Sequence, residues 1–206
     1  MSISNHCFDM EISIKANLGY RLFTPNHYDS NISWPVILFL HGIKKRGKDL
    51  SLLDDYGLLK HVETLKDFPF FVLAPQCPSF VSWPVVRHEV IALLIQVLSR
   101  FNIHKKQVYL TGFSMGGNGV WDLAAHSSDI FSAAVPIAGW YESEAAQQIN
   151  IPVWAFHGED DDVVSISGST NMVNAMKEAG KEVFFTGYPG MKHGHDVMER
   201  TYTVSV

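Results

Sequence analysis

The chain has 206 residues, of which 47% are hydrophobic and 18% are charged, and this composition is typical of a folded globular protein rather than a disordered one. The formal net charge of -5 argues against nucleic acid as a main partner, because binding a phosphate backbone needs a basic surface. The basic cluster at residues 44–48 is short and interrupted by Gly47, so we interpret it as a solvated loop. The length suits a single domain over residues 1–206.

Residues 1–15 lack the apolar segment of a signal peptide, and no apolar run approaches the roughly 20 residues that span a bilayer. We therefore expect a cytoplasmic protein with no membrane insertion. Cys7 and Cys77 follow no metal-binding or redox spacing, and we expect both to be free thiols.

Short apolar runs along the chain predict the strands of a buried sheet. The predicted strands are two short ones within residues 11–23, followed by residues 36–40, 70–74, 108–111, 133–137, 153–156 and 183–186.

Segments with helical spacing of apolar residues lie between these runs, at residues 85–101, 120–125 and 169–179. Strands that alternate with helices indicate βαβ units, and therefore an α/β fold with a mostly parallel sheet. In such a sheet, ligands bind beyond the carboxyl ends of the strands. The residues that follow each predicted strand are therefore the first candidates for a functional site.

The segment 112-GFSMG-116 follows a predicted strand and precedes a predicted helix, and it fits the G-x-S-x-G pattern. This pattern places a serine on a tight strand-to-helix turn that projects its hydroxyl above the sheet. Ser114 is the predicted nucleophile. The tetrahedral intermediate would need two backbone N–H donors, which we assign to Met115 and to Ile43 in the loop after the strand at 36–40.

A serine nucleophile needs a histidine base and an acid that orients the base, and on this type of sheet they follow the serine in the order acid, then histidine. Four carboxylates stand together at residues 159–162, and His193 and His195 come later in the chain. These residues alone leave the choice of acid and base open. His41 and His157 each precede a glycine at the end of a predicted strand, and we expect them to hold their loops.

Together these segments resemble the α/β-hydrolase superfamily, and within it the small cap-less esterases. The related groups are the phospholipase/carboxylesterases, the polyhydroxybutyrate-depolymerase-like esterases and the "predicted peptidase" family. The matching segments are residues 38–50, 73–78, 108–124, 131–139, 152–164 and 185–202. The resemblance implies an α/β-hydrolase fold whose mostly parallel central sheet is flanked by helices and carries no large cap domain.

The resemblance also selects among the carboxylates and histidines. The acid of these esterases stands shortly after the His-Gly pair and one residue before Val-Val, which implies Asp161, with Asp162 in the position between. Their histidine precedes a tyrosine by seven residues, and counting back from Tyr202 selects His195. Counting forward from the turn near residue 190 allows His193 as the alternative.

We therefore expect a serine hydrolase that cleaves small-molecule carboxylic esters through an acyl-enzyme, with no cofactor and no metal. A serine peptidase or amidase with the same triad is the alternative, and a non-catalytic binding protein on this fold is a further one. The loop at residues 76–85 is the longest candidate lid. Trp83, Trp140 and Tyr141 are predicted walls of the substrate pocket, with ordinary core packing as the other interpretation of Trp83.

Overall fold

A computed structural model describes residues 17–65 and 67–203, and within them strands alternate with helices along the chain. The strands are β1 (Tyr20–Phe23), β2 (Trp34–Leu40), β3 (Phe71–Pro75), β4 (Ile103–Phe113), β5 (Ala133–Ile137), β6 (Val153–Gly158) and β7 (Val183–Tyr188). The helices are α1 (Leu58–Thr64), α2 (Arg87–Arg100), α3 (Met115–His126), α4 (Ser167–Glu178) and α5 (His195–Thr203). Short 3₁₀ turns lie at Ile43–Lys45, Leu50–Leu53, Trp83–Val86 and Ser143–Gln148.

All seven strands form one sheet, in the order β1-β3-β2-β4-β5-β6-β7. Strand β1 pairs with β3 in the antiparallel sense, and every other neighbouring pair is parallel. The predicted α/β architecture with a mostly parallel sheet is therefore confirmed. Because β4 lies at the centre of the sheet, the loop that follows it opens at the middle of the carboxyl edge, where α/β sheets bind ligands.

Each strand predicted from residue 36 onward corresponds to an observed strand, but β4 runs from Ile103 to Phe113 and is longer than the predicted 108–111. Of the two short strands predicted within residues 11–23, the structure contains β1, while residues 11–16 lie outside the described part, as does Cys7. The predicted helix at 85–101 begins later than expected, because residues Trp83–Val86 form a 3₁₀ turn before α2. Helices α1 and α5 are additions that the sequence analysis did not predict.

Helix α3 runs through the interior, with every residue from Met115 to Ala125 buried. Its first turn lies unusually close to two strands. A Cβ atom on Gly116 would lie 1.9 Å from the Leu40 carbonyl oxygen at the end of β2. A Cβ atom on Gly117 would lie 2.6 Å from the Ile137 carbonyl oxygen at the end of β5. The glycines therefore let the helix begin directly against the sheet edge, which fixes the position of the preceding Ser114.

Candidate active site

Ser114 occupies the sharp turn between β4 and α3. Its backbone adopts φ 59° and ψ -118°, a conformation that costs energy for any residue with a side chain. The turn is held because the Ser114 N–H donates to the Ile137 carbonyl at 2.9 Å, and the Ser114 carbonyl accepts the Asn118 N–H at 3.0 Å. The side chain lines a pocket while the residue stays 7% exposed. This is the geometry predicted for a nucleophile turn.

His193 connects Ser114 to Asp161. Its Nε2 lies 2.9 Å from Ser114 Oγ, and its Nδ1 lies 2.7 Å from Asp161 Oδ2. The imidazole also stacks on the Phe113 ring, with the ring centroids 4.9 Å apart and the planes 29° from parallel. The loops after β4, β6 and β7 thus bring one serine, one carboxylate and one histidine into a continuous hydrogen-bonded chain.

The choice of His195 as the base is corrected by this geometry. His195 is the first residue of α5, its side chain is 44% exposed, and its Nδ1 lies 3.2 Å from Glu199 Oε1, one turn further along the same helix. The residue seven positions before Tyr202 is His195, and because it begins α5 its ring faces Glu199 instead of Ser114. The loop between β7 and α5 instead presents His193, which the sequence analysis kept as the alternative.

Asp161 is the carboxylate that the structure brings to His193, and its side chain is fully buried. Oδ1 accepts the backbone N–H groups of Val163 at 2.9 Å and Val164 at 2.8 Å. Burial alone would raise the pKa of Asp161, but the hydrogen bonds from Val164, His193 and Val163 outweigh burial and hold this pKa below its usual value. Its neighbour Asp162 is exposed and pairs with Lys192 at 3.3 Å.

Two residues at the start of helical turns line the same pocket as Ser114. They are Ile43, which begins a 3₁₀ turn after β2, and Met115, which begins α3. The first N–H groups of a helical turn have no acceptor within that turn, so they are free to bind an oxyanion. The neighbouring Gly42 N–H already donates to the Tyr56 hydroxyl at 3.3 Å.

His41 holds the Ile43 loop in place. Its Nε2 accepts the Cys77 N–H at 2.9 Å, its Nδ1 lies 2.7 Å from the Gly42 carbonyl, and its own carbonyl accepts the Trp83 indole N–H at 2.9 Å. Burial lowers the pKa of His41 to about 4, so the ring is neutral at pH 7 and its Nε2 can accept a hydrogen bond. Cys77 is free and buried, as expected, and burial raises the pKa of its thiol to about 11.

The pocket around Ser114 is open and mainly apolar, with a volume of about 590 Å³. Its lining consists of Ile43, Arg46, Phe80, Val81, Ser82, Val85, Ser114, Met115, Trp140, Val163 and Val164. Several apolar members project into solvent, and Phe80 is 95% exposed while Val163 is 70% exposed. A pocket of this size and character suits a small organic ligand with apolar groups.

Only one of the three predicted aromatic walls lines this pocket. Trp140 does so and is 39% exposed. Trp83 is instead a core residue that is 1% exposed, in agreement with the other interpretation of this residue. The Tyr141 hydroxyl lies 2.6 Å from Asp122 Oδ1, and Asp122 also forms a buried ion pair with Arg87. The assignments of Trp83 and Tyr141 to the pocket are therefore corrected, because packing and an internal hydrogen bond turn both side chains away from it.

Several lining residues were not named as pocket residues by the sequence analysis, and Arg46 and Phe80, the latter within the candidate lid at residues 76–85, are two of them. Arg46 was interpreted as part of a solvated loop, but its Nη1 donates to the Val81 carbonyl at 2.9 Å and its side chain reaches the pocket. Phe80 has φ 67°, which is unusual for an aromatic residue and places its exposed ring at the pocket mouth. Arg46 and Phe80 both lie in loops that follow predicted strands. Because such loops surround the ligand site of an α/β sheet, this position in the sequence could have identified them as candidate lining residues.

Within residues 17–65 and 67–203, no cluster of three or more His, Cys, Asp or Glu side chains is arranged to hold a metal ion. The helices described in the same part of the chain include none that is both long and apolar enough to cross a membrane.

Comparison with known proteins assigns the chain to a family. A model described as "Dienelactone hydrolase family" matches residues 5–204. The chain belongs to the dienelactone hydrolase family. Its match to a bifunctional acetylxylan esterase/xylanase, XynS20E, from Neocallimastix patriciarum is 30% identical over 157 residues. That match covers 73% of this chain and 22% of the relative, so the chain spans about a fifth of that relative's length.

Solved structures agree on the architecture of this dienelactone hydrolase family member. A thermostable esterase superposes with a TM-score of 0.78 at 32% identity, covering 90% of this chain and 56% of that one. Esterase PE8 superposes with a TM-score of 0.70 at 19% identity, covering 91% of this chain and 97% of that one, and this likeness shows the fold alone. The fold is thus an α/β-hydrolase fold, and the described residues contain no insertion large enough to form a cap domain.

Proposed function

We propose that this dienelactone hydrolase family member is a serine hydrolase that cleaves carboxylic esters through an acyl-enzyme. The observation that carries the proposal is the hydrogen-bonded chain from Ser114 Oγ through the His193 ring to Asp161 Oδ2. A serine hydroxyl is a weak nucleophile by itself, and a histidine within hydrogen-bond distance activates it by accepting its proton.

In the proposed reaction, His193 Nε2 takes the Ser114 proton as Oγ attacks the acyl carbon. The tetrahedral intermediate then collapses, the bond between the acyl carbon and the alcohol oxygen breaks, and His193 gives the proton to the departing alcohol. In the second half, His193 takes a proton from water as the water oxygen attacks the acyl carbon. The bond between the acyl carbon and Ser114 Oγ then breaks, His193 returns the proton to Ser114, and the carboxylic acid leaves. Asp161 remains ionised throughout, because it accepts several hydrogen bonds, and it stabilises the positive charge of the imidazolium.

The negative charge that develops on the acyl oxygen needs donors that are already in place. We assign this role to the backbone N–H groups of Ile43 and Met115. Ser114 lies between β4 and α3, so the N-terminal end of α3 also faces the developing charge and favours it electrostatically. Removing one donor from such a pair typically lowers the rate by about 100- to 1,000-fold.

The pocket and the relatives support an ester of a small molecule as the substrate. The 590 Å³ volume and the apolar lining fit an acyl or alcohol group of modest size. Relatives that are at least 30% identical are named a bifunctional acetylxylan esterase/xylanase and a thermostable esterase. Neighbours at 16% identity include an acylaminoacyl peptidase from Pyrococcus horikoshii, and at that distance the likeness shows the fold and leaves ester cleavage as the proposal.

A panel of p-nitrophenyl esters with acyl chains of increasing length tests the proposal, with peptide p-nitroanilides measured beside it. We expect ester cleavage with a burst of p-nitrophenol that is lost in Ser114→Ala, and much slower anilide cleavage. Equal activity of Ser114→Ala would contradict the proposed nucleophile. Rapid anilide cleavage without ester cleavage would replace the esterase assignment by the amidase alternative.

A further inference from the structure

A second histidine is buried against the same carboxylate oxygen that His193 contacts. His157 lies near the end of β6, and its Nε2 is 3.2 Å from Asp161 Oδ2. The same Nε2 lies 2.9 Å from the Val164 carbonyl oxygen. The side chains of His157 and Asp161 are both fully buried, so no solvent reaches the contact between them.

The neighbours of His157 determine which ring nitrogen carries the proton. A backbone carbonyl and an ionised carboxylate can only accept, so Nε2 must carry a hydrogen in order to bind Val164 and Asp161. Nδ1 lies 2.8 Å from Ser169 Oγ, which belongs to α4 and is also buried. Burial lowers the pKa of His157, although the Val164 carbonyl and Asp161 oppose this shift, so the ring is neutral and Nδ1 is an acceptor. The Ser169 hydroxyl has one proton and two acceptors within reach, Nδ1 at 2.8 Å and the Gly139 carbonyl at 3.1 Å, and we assign its hydrogen bond to Nδ1, the closer one.

With this proton on Nε2, both oxygens of the Asp161 carboxylate face donors. Oδ1 accepts from the N–H groups of Val163 and Val164, and Oδ2 accepts from the His193 ring. The single Nε2–H of His157 is hydrogen-bonded to the Val164 carbonyl and faces Oδ2 at the longer distance of 3.2 Å, as a second and weaker acceptor. The orientation of the carboxylate about its side-chain bonds is thereby fixed, and this orientation determines where Oδ2 meets His193.

We propose that His157 is a positioning residue of this site, whose Nε2–H holds the Asp161 carboxylate in the orientation that receives the His193 ring. The inference rests on the proposed function, since its kinetic effect appears only if Asp161 and His193 act in ester cleavage. His157 does not contact Ser114 or the pocket, and it acts through Asp161. Ser169 fixes the opposite side of the ring from α4, so the orientation of Asp161 depends on the packing of α4 against β6.

Two amide substitutions separate the positioning role from packing. The amide nitrogen of His157→Gln reaches the place of Nε2 and keeps a donor to Asp161. The amide of His157→Asn overlaps Nδ1, so it keeps a polar group near Ser169 but removes the donor to Asp161. We expect kcat for p-nitrophenyl acetate to fall by about 100-fold in His157→Asn, because a small misplacement of a catalytic group has an effect of that order.

The Gln variant is the matched control, and we expect its kcat to stay within about fivefold of the wild-type value, with KM little changed in both variants because only the reacting groups are disturbed. Thermal unfolding of all three proteins establishes that they are compared as folded proteins. Equal losses of kcat in the two variants at equal melting temperatures would overturn the proposal, as would an Asn variant with wild-type kcat.

A measurement on the wild-type protein needs no destabilising substitution. In ¹⁵N-histidine-labelled protein, we expect the His157 ring to appear as the neutral Nε2–H form from pH 7 to 8, assigned by its absence from the spectrum of His157→Gln. A Nδ1–H form or a charged ring would overturn the proposal. Kinetic data for Ser114→Ala distinguish a failure of the proposed function from a failure of the His157 proposal. Continued ester cleavage by that variant contradicts the proposed function but leaves the assignment of the His157 ring proton intact.

Discussion

His193 and His195 carry the same imidazole, but their backbones place it in opposite surroundings. His193 belongs to the loop after β7, where its ring reaches Ser114 and stacks on Phe113. His195 opens α5, and the helix directs its ring along its own surface toward Glu199. The assignment of the proposed base thus depends on where one helix begins.

Alanine substitutions at both histidines test this assignment directly. We expect His193→Ala to lower kcat by about four orders of magnitude or more, because loss of the base removes the activation of the nucleophile. His195→Ala is the matched control and should keep wild-type kcat and KM. The measurement is steady-state cleavage of p-nitrophenyl acetate. The reverse pattern, with His195→Ala inactive and His193→Ala active, would restore the assignment made from sequence.

The buried His41 ring makes the protein less stable in mild acid. Its pKa is about 4 in the folded protein, against 6.5 for an unperturbed histidine. Between these values the unfolded chain binds a proton that the folded chain does not, so the free energy of unfolding rises with pH. The expected slope from this residue is about 1.4 kcal/mol per pH unit in the middle of that window.

Urea unfolding of the wild type and of His41→Gln at pH 5 and pH 7 measures this contribution. Glutamine keeps an acceptor for the Cys77 N–H but does not titrate. We expect a smaller loss of stability on acidification in the variant, while the lowered pKa of His157 still gives both proteins some loss in the same direction. Identical pH dependence in the two proteins would show that His41 does not remain neutral in the fold.

Sequence reasoning reached the residues of the site whose positions are determined locally. The turn at Ser114 could be predicted because its flanking glycines, strand and helix lie within one short segment. Asp161 followed from a resemblance over a similarly short segment, and the structure brings it to His193. The histidine depended on the length of a loop and the start of a helix. Tyr141 depended on a hydrogen bond to Asp122, which lies 19 positions away along the chain.

At the scale of elements, the contact between α3 and β2 leaves no space for a side chain at Gly116. A methyl group there would lie 1.9 Å from the Leu40 carbonyl oxygen and 2.6 Å from the Leu40 carbonyl carbon. Both atoms belong to the backbone of a central strand, so they cannot move aside without displacing the sheet. The approach of helix to strand is therefore as much a part of the Ser114 turn as the serine itself.

We expect Gly116→Ala to destabilise the fold by about 3 kcal/mol or more, because overpacking against backbone cannot be relieved by a change of rotamer. Gly194→Ala is the matched control, since a Cβ atom at Gly194 would have no neighbour within 4 Å. Urea unfolding of the two variants provides the comparison. Equal stabilities would show that the first turn of α3 can move away from β2.

The elements that sequence analysis found and missed differ in how much apolar surface they bury. Strands such as β3 are buried at every position and appear as continuous apolar runs. Helix α1 has only seven residues and follows Gly57, which has φ 55° and provides no side-chain cap. Helix α5 buries only Val197 and Met198, so most of its sequence is that of an exposed segment. These are also the two shortest helices, with seven and nine residues, so each offers few turns over which an apolar pattern can be detected.

At the scale of the whole molecule, loops from several strand ends combine to form an open pocket with an apolar rim. Trp140 follows β5 and lines this pocket, whereas Trp154 on β6 is 49% exposed and is not among the lining residues. The two tryptophans thus have similar exposure and differ in their distance from the site. This makes them a matched pair for measuring how the pocket wall contributes to substrate binding.

We expect Trp140→Ala to raise KM for esters with long or aromatic acyl groups by about tenfold. The substitution removes apolar contact between the indole and the acyl group worth roughly 1.4 kcal/mol, which corresponds to a tenfold change in binding. The KM for the acetyl ester should change less, since a short acyl group reaches less of the wall. Trp154→Ala should leave both constants unchanged. Equal KM values for Trp140→Ala and the wild type across all acyl lengths would remove Trp140 from the binding site.

The order of the strands has a consequence for how the molecule acquires activity. Ser114 and His193 are 79 positions apart, and Asp161 and His193 are 32 positions apart. The serine belongs to the central strand, but its histidine follows β7 at the edge of the sheet. A refolding chain therefore cannot assemble its reactive centre until the last edge strand has docked. During refolding, we therefore expect ester cleavage to recover only when β7 has joined the sheet, and later than the formation of the central strands.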